Sequence, residues 1–298
     1  MSPIARMRKA IRNALTEICS HLPLGLRAGL FSHFLRPTLW VFFHLEPDEI
    51  SLTRVGPPGH RFRMFLPWQG NPGLLCVLGA YEPEAVEALR QAVKAGSCCI
   101  DVGANIGYYT ILMARLTGAA GHVIAFEPFP RNLRTLRENV DMNRIPNIQL
   151  EPLALGETNG LLSLHFAADE GSSATPSSKG YAVQGRTEKI EVPMVSLDEY
   201  LSRGAPVPSL IKIDVEGAEL DVLRGAQRTL AEAGPDILLE VHGWNSAESD
   251  EVLRLLTAQG YEHQLLAVRG KEGILFCSPH KKDGSVETDG LLHERSKS

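Results

Sequence analysis

The residues best placed to do chemistry begin at Asp101. Cys99-Ile100-Asp101-Val102-Gly103-Ala104-Asn105-Ile106-Gly107 runs from an apolar strand into D-x-G-x-N-x-G and then into a helical pattern. Gly103 and Gly107 permit a tight turn and a close approach of a ligand to the backbone. Asp101, at the carboxyl end of its strand, is expected to face a positively charged group. Glu127 ends the next strand in Val123-Ile124-Ala125-Phe126-Glu127-Pro128, 26 residues beyond Asp101. A carboxylate there can accept hydrogen bonds from both hydroxyls of a ribose. The spacing alone would also serve a nicotinamide-dependent oxidoreductase, but that fingerprint is G-x-G-x-x-G around a pyrophosphate. An acid at the head of the motif repels a pyrophosphate and suits a sulfonium and an amino group. The pattern therefore points to S-adenosylmethionine, with a noncatalytic binding protein as a further alternative.

A second group follows the later strands. Asp214 and Glu216 lie at the end of one, and Glu240 and His242 at the end of the next. Group transfer from a sulfonium needs donor and acceptor aligned, and an acceptor that carries a proton needs a base within reach. His242 or Asp214 is expected to be the base, with Glu216 and Glu240 orienting the acceptor or the start of the following helix. The bland readings are a solvated histidine after a strand and a carboxylate at a helix N-terminus. Asp214, Glu240 and His242 are also plausible ligands for magnesium or manganese; the reading adopted from the residues alone assigns no metal.

These residues need a sheet to hold them. Strands at 98–102, 122–126, 148–153, 210–214 and 237–241 alternate with helices at 108–116, 130–143, 197–202, 218–233 and 250–259. Strand and helix in alternation mark a parallel α/β sheet. Final strands near 263–268 and 273–277 close it. A helix over 82–95 precedes the sheet, and short strands with turns are expected over 50–80, where Gly56-Pro57-Pro58-Gly59 and Asn71-Pro72-Gly73 punctuate the chain. In the inferred order, the strands ending at Asp101, Asp214 and Glu240 are neighbours. An insertion at 161–193, in which two short strand-like runs flank the Gly/Ser-rich stretch 170–175, is expected to cover the acceptor pocket, with Ser172 and Ser173 as weak acceptor contacts.

The 298 residues and 44% hydrophobic content suit one large domain with an extension. We read residues 1–80 as the extension, 81–278 as the cofactor-binding domain and 279–298 as a polar tail. A net charge of -5 argues against a nucleic-acid partner. Residues 1–45 nevertheless carry six basic side chains against Glu17 alone. Ile4, Met7, Ile11, Leu15, Ile18 and Leu22 make that segment a basic amphipathic helix. It could lie on the inner face of a membrane or pack on the domain. No run of about 18 apolar residues is free of charge, so no membrane span is expected. Five cysteines without a C-x-x-C pair suit a reducing, cytoplasmic setting.

Asp101-Val102-Gly103-Ala104-Asn105-Ile106-Gly107-Tyr108-Tyr109-Thr110 and Phe126-Glu127-Pro128 together resemble the start of the FkbM methyltransferase domain. So does Leu210-Ile211-Lys212-Ile213-Asp214-Val215-Glu216-Gly217-Ala218-Glu219, followed by Val222-Leu223-Arg224-Gly225-Ala226. The likeness covers roughly residues 80–278. It implies a Rossmann-like class I fold, a seven-stranded mostly parallel sheet with helices on both faces, and the cofactor over the first two strands. It implies S-adenosylmethionine-dependent methyl transfer to a hydroxyl of a sugar, glycan or secondary metabolite. By position, Asp101, Gly103, Asn105 and Gly107 would hold the methionine part and Glu127 the ribose. Leu153 and Ala154 would flank the adenine, and Ala104, Pro128 and Asp214 complete the cofactor set.

Overall fold

The structure, a computed structural model, describes residues 50–57, 59–67, 76, 81–167, 174–176 and 187–280. The basic amphipathic segment, Ser172, Ser173 and residues 281–298 lie outside the described residues.

The sheet follows from the apolar strands. β3 (Cys98–Val102), β4 (His122–Phe126), β5 (Ile148–Glu151), β10 (Leu210–Ile213) and β11 (Asp236–His242) run parallel. β12 (Tyr261–Arg269) and β13 (Glu272–Pro279) close one edge, with β13 antiparallel to both its neighbours. The seven strands stand in the order β12-β13-β11-β10-β3-β4-β5. From β3 the chain steps outward to β4 and β5, then returns to the other side of β3 with β10. The reversal therefore falls between β3 and β10, where open α/β sheets bind ligands at the carboxyl ends.

Side chains alternate between the two faces of each strand. Cys99, Val123, Ala125, Leu210 and Leu238 enter a core under α1 (Pro83–Ala92), α2 (Tyr108–Thr117) and α3 (Pro130–Asn143). Ile100, Val102, Ile124, Phe126, Ile211, Ile213, Ile237 and Leu239 enter the opposite core. That second core lies under α4 (Leu197–Ser202), α5 (Glu219–Arg224), α6 (Gln227–Glu232) and α7 (Ala247–Ala258). By the same alternation Asp101 and Lys212 point to the α1–α3 face, opposite each other across β3 and β10.

Before the sheet, β1 (Ile50–Val55) and β2 (Phe62–Pro67) pair as an antiparallel hairpin. Buried Asn139 of α3 ties this hairpin to the motif loop. Its carboxamide accepts from the Phe65 N–H at 2.6 Å and donates to the Ile106 carbonyl at 2.8 Å.

Two expectations need correction. The strand expected over 148–153 divides: after β5, the pair β6 (Ala154–Leu155) leaves the main sheet and joins a second one. The strand-like runs expected on either side of the Gly/Ser-rich stretch are strands, and they form a sheet of their own. β7 (Gly160–Ala167), β8 (Ala174–Pro176) and β9 (Thr187–Val195) form with β6 a four-stranded sheet ordered β6-β9-β7-β8. The helix expected over 218–233 is broken into α5 and α6 around Gly225. A Cβ there would lie 2.0 Å from the Gly156 carbonyl oxygen, so only glycine lets the helix pass β6 this closely. The second half is capped instead by Asp198, which accepts from the Arg228 and Thr229 N–H groups. Helix α5 starts at Glu219, so Glu216 is not in its first turn.

Candidate active site

At the carboxyl ends of β3, β4 and β10 lies an open cleft with a cavity of about 80 Å³. Of the residues expected to bind a cofactor, Gly103, Asn105, Glu127, Pro128, Leu153, Ala154 and Asp214 form its wall, and Glu216 joins them. Asp101, Ala104 and Gly107 stand behind that wall. Phe129, Leu162 and Leu164 were not foreseen. They bring an apolar surface from the α3 start and from β7, where Phe129, Ala154, Leu164 and Val192 share a small core of their own.

Both glycines take the left-handed backbone that the tight turn needs, and protein packs closely beside them. Gly103 has φ +76, and a Cβ on it would lie 1.9 Å from the Asp214 carbonyl oxygen. Gly107 has φ +95, and its Cβ would meet Leu136 at 2.5 Å. Protein, not ligand, occupies the space that their missing side chains leave. Close contact between the β3 loop and the end of β10 brings Asp214 beside the motif.

Glu127 is buried, and both its oxygens are engaged. Oε2 accepts from the Asn105 N–H at 2.7 Å and Oε1 from the Phe129 N–H at 2.9 Å. Asn105 takes a left-handed φ of +51, which asparagine tolerates better than most residues, to aim that N–H. Burial pushes the Glu127 carboxyl up to about 7 against the pull of these two amides. Each oxygen keeps a lone pair for a further donor.

Asp101 is fully buried. Its Oδ2 accepts from the Thr110 hydroxyl at 2.6 Å, while Oδ1 has no hydrogen-bond partner among the described residues. The Lys212 ammonium lies 3.5 Å from that Oδ1 and donates to Asp214 Oδ2 and the Gly103 carbonyl, each at 3.2 Å. It also sits 5.4 Å from the centre of the Tyr109 ring. Burial alone would push this ammonium down, but Asp214 and Asp101 outweigh it and hold Lys212 above its ordinary range. Burial likewise raises Asp101, with Lys212 opposing.

Beyond Asp214 lie the other residues expected in catalysis. Asp214, Glu240 and His242 place one polar atom each within 4.8 Å of one another. Glu240 and His242 lie outside the cleft wall. His242 is buried, not solvated. Its Nδ1 is 2.9 Å from Glu219 Oε1 and its Nε2 3.4 Å from Glu216 Oε2. Burial would lower the imidazole, yet Glu219, Asp214 and Glu216 push it up to about 10. Burial raises Glu216 to about 7, with Asp214 adding to the effect. Glu240 is raised for the same two reasons. Facing this group from the start of α1, Glu82 accepts from the Tyr109 hydroxyl at 2.5 Å and pairs with Arg269 at 3.3 Å.

Lys212, Glu219, Glu82 and Tyr109 were given no role from the sequence. Lys212 carried a readable signal: a lysine inside Leu210-Ile211-Lys212-Ile213 is buried, and a buried ammonium demands a carboxylate partner.

The mostly parallel seven-stranded sheet, with β13 antiparallel near its edge and the cleft at the strand reversal, is a class I methyltransferase fold. The chain belongs to the methyltransferase FkbM domain family, which matches residues 101–263. Methyltransferase 1 of Beauveria bassiana is 29% identical over 148 residues, covering 43% of this chain and 58% of that protein. Hexuronic acid methyltransferase AglP of Haloferax volcanii is 28% identical over 177 residues, covering 59% and 68%. The 31-O-demethyl-FK506 methyltransferase FkbM of Streptomyces tacrolimicus is 28% identical over 201 residues, covering 58% and 76%. Among solved structures, methyltransferase FkbM from Methylobacillus flagellatus is similar at 18% identity with a TM-score of 0.42, covering 68% of this chain and 54% of that one. The chain thus spans little more than half the length of the Beauveria and Methylobacillus proteins.

Proposed function

We propose that this protein is an S-adenosylmethionine-dependent O-methyltransferase acting on a hydroxyl of a sugar, glycan or secondary metabolite. The observation that carries the reading is an acidic cleft at the strand reversal, with buried Glu127 held by two backbone N–H groups and still able to accept. The relatives' names support the acceptor class, since one is a hexuronic acid methyltransferase and another a 2-O-methyltransferase from Sinorhizobium fredii.

The residues present fit a cationic nucleoside donor. Asp101 Oδ1, buried without a hydrogen-bond partner among the described residues, and Asp214 leave more negative charge than Lys212 alone balances. Gly103 and Asn105 would hold the amino-acid end, with Asp101, Ala104 and Gly107 shaping the loop from behind. Glu127 would accept from the ribose hydroxyls. Pro128, Leu153, Ala154, Phe129, Leu162 and Leu164 would enclose the adenine. When bound, the donor supplies an electrophilic methyl group on a sulfonium. Glu216 lines the cleft itself and takes the acceptor proton in this reading, with the His242 ring, tied at Nδ1 to Glu219, beside it. The cleft residues then contribute alignment, which supplies much of the rate in such a displacement.

A cytoplasmic setting suits the chain: Cys76, Cys98, Cys99 and Cys277 are free thiols. Among the described residues no helix is long and apolar enough to cross a membrane.

The test is transfer of a labelled methyl group from S-adenosylmethionine to a panel of sugars and polyhydroxylated metabolites. Label in an alkali-stable methyl ether is expected. Label found only in alkali-labile esters or on nitrogen would overturn the O-methyl assignment.

A further inference from the structure

The carboxyl ends of β10 and β11 hold a constellation that shares Asp214 alone with the donor cleft. Asp214, Glu240 and His242 offer three ligand atoms within 4.8 Å of one another. Two ligands bonded to one divalent ion at about 2.2 Å stand at most about 4.4 Å apart. Three ligands spread evenly round one ion stand about 3.8 Å apart, so atoms within 4.8 Å of one another need to close by up to about 1 Å to share it.

The imidazole is already oriented for the task. Glu219, itself buried, is fixed by the Gly217 N–H at 2.8 Å and holds His242 Nδ1 at 2.9 Å, which turns Nε2 toward the carboxylates. A carboxylate behind a histidine is how proteins set the ring of a metal ligand. The charges also ask for a cation. Asp214, Glu216, Glu219 and Glu240 surround one imidazole, and Lys212, the ammonium beside them, is already shared between Asp101 and Asp214.

We propose that Asp214, Glu240 and His242 form a site for a divalent cation on the acceptor side of the cleft, with Glu219 as its positioning residue. The inference rests on the O-methyltransferase reading. Two carboxylates and one imidazole suit Mn²⁺ or Mg²⁺. Three protein ligands leave positions open for an acceptor oxygen, whose proton a bound cation makes easier to remove.

The experiment uses the full chain after exhaustive chelation, titrated with Mn²⁺ alone and followed by electron paramagnetic resonance and calorimetry. One Mn²⁺ per chain is expected. Glu240→Gln and Asp214→Asn, both isosteric, should weaken it at least tenfold, and Glu219→Gln by about 10- to 100-fold. Glu138→Gln, on an exposed face of α3, should bind as the parent does. Absence of Mn²⁺ binding at millimolar concentration, or unchanged affinity in folded Glu240→Gln, overturns the site. Calorimetry with S-adenosylhomocysteine in chelator is the separate arm. Binding there with no Mn²⁺ site removes the cation and keeps the donor reading, whereas a Mn²⁺ site without donor binding removes the donor reading instead.

Discussion

Gly103→Ala is the substitution whose cost the structure fixes most closely. Two effects add. An alanine forced into the left-handed region at φ +76 costs about 1–2 kcal/mol. The new Cβ would lie 1.9 Å from the Asp214 carbonyl oxygen, a backbone atom that no rotamer change can move. Overpacking of that kind costs about 1–3 kcal/mol more. The control is Gly96→Ala, where φ is +79 and nothing lies within 4 Å of the Cβ, so only the first effect operates. At about 2–4 °C per kcal/mol, Gly103→Ala should lower Tm by roughly 4–20 °C and Gly96→Ala by roughly 2–8 °C. The distinction extends to binding. Prising the β3 loop from β10 also disturbs the Lys212 bond to the Gly103 carbonyl. S-adenosylhomocysteine affinity by calorimetry should therefore fall at least tenfold in Gly103→Ala and stay within twofold in Gly96→Ala. Equal melting losses and equal affinities in the two variants would refute the close contact and the role assigned to it.

Lys212→Met leaves Asp101 and Asp214 facing each other without their ammonium, and chemical denaturation should show a loss of about 3–5 kcal/mol. Adding Asp101→Asn should recover part of that loss; strictly additive costs would contradict the shared salt bridge. Glu127 predicts a pH profile: with its carboxyl near 7 and the ionised form the better acceptor, S-adenosylhomocysteine affinity should rise about tenfold from pH 6 to pH 8, and Glu127→Gln should flatten the rise. Ligand-free stability runs the other way for this residue. Its proton is held more tightly folded than unfolded, so its contribution is complete below the ordinary value of 4.5 and is lost as pH rises through about 7. Asn139→Ala strands the Phe65 N–H and frees the hairpin from α3, a loss of about 1–3 kcal/mol that limited proteolysis within residues 50–67 should report as faster cleavage.

The parts of the fold legible in the sequence are those where one apolar pattern runs uninterrupted between turn signals. β3, β4 and α3 have the bounds expected of them because Ser97, Gly103, Gly121 and Glu127 flank the two strands, while Pro130 opens the helix and Arg144 ends it. Where a boundary depends on a distant contact, the local pattern misleads. Gly225 looks tolerable inside a helix, and only the approach of the Gly156 carbonyl shows that the helix must break there. Leu153-Ala154-Leu155 continues the apolar run of β5, yet the pairing of β6 with β9 draws it into another sheet. The site divides in the same way. Acids at strand ends were visible as types and spacings, but spacing does not say what fills the room beside a glycine or which side chain fixes an imidazole. Gly103 answers to Asp214, and His242 to Glu219, from elements more than 20 residues away in each case.

Calorimetric titration of the folded chain with S-adenosylhomocysteine, run beside NAD, tests the central claim most directly. A single-site isotherm with the nucleoside, lost in Glu127→Ala, and no heat with NAD are the expected results. Saturable binding of NAD, or no binding of the nucleoside at millimolar concentration by protein with an intact melting transition, would contradict it.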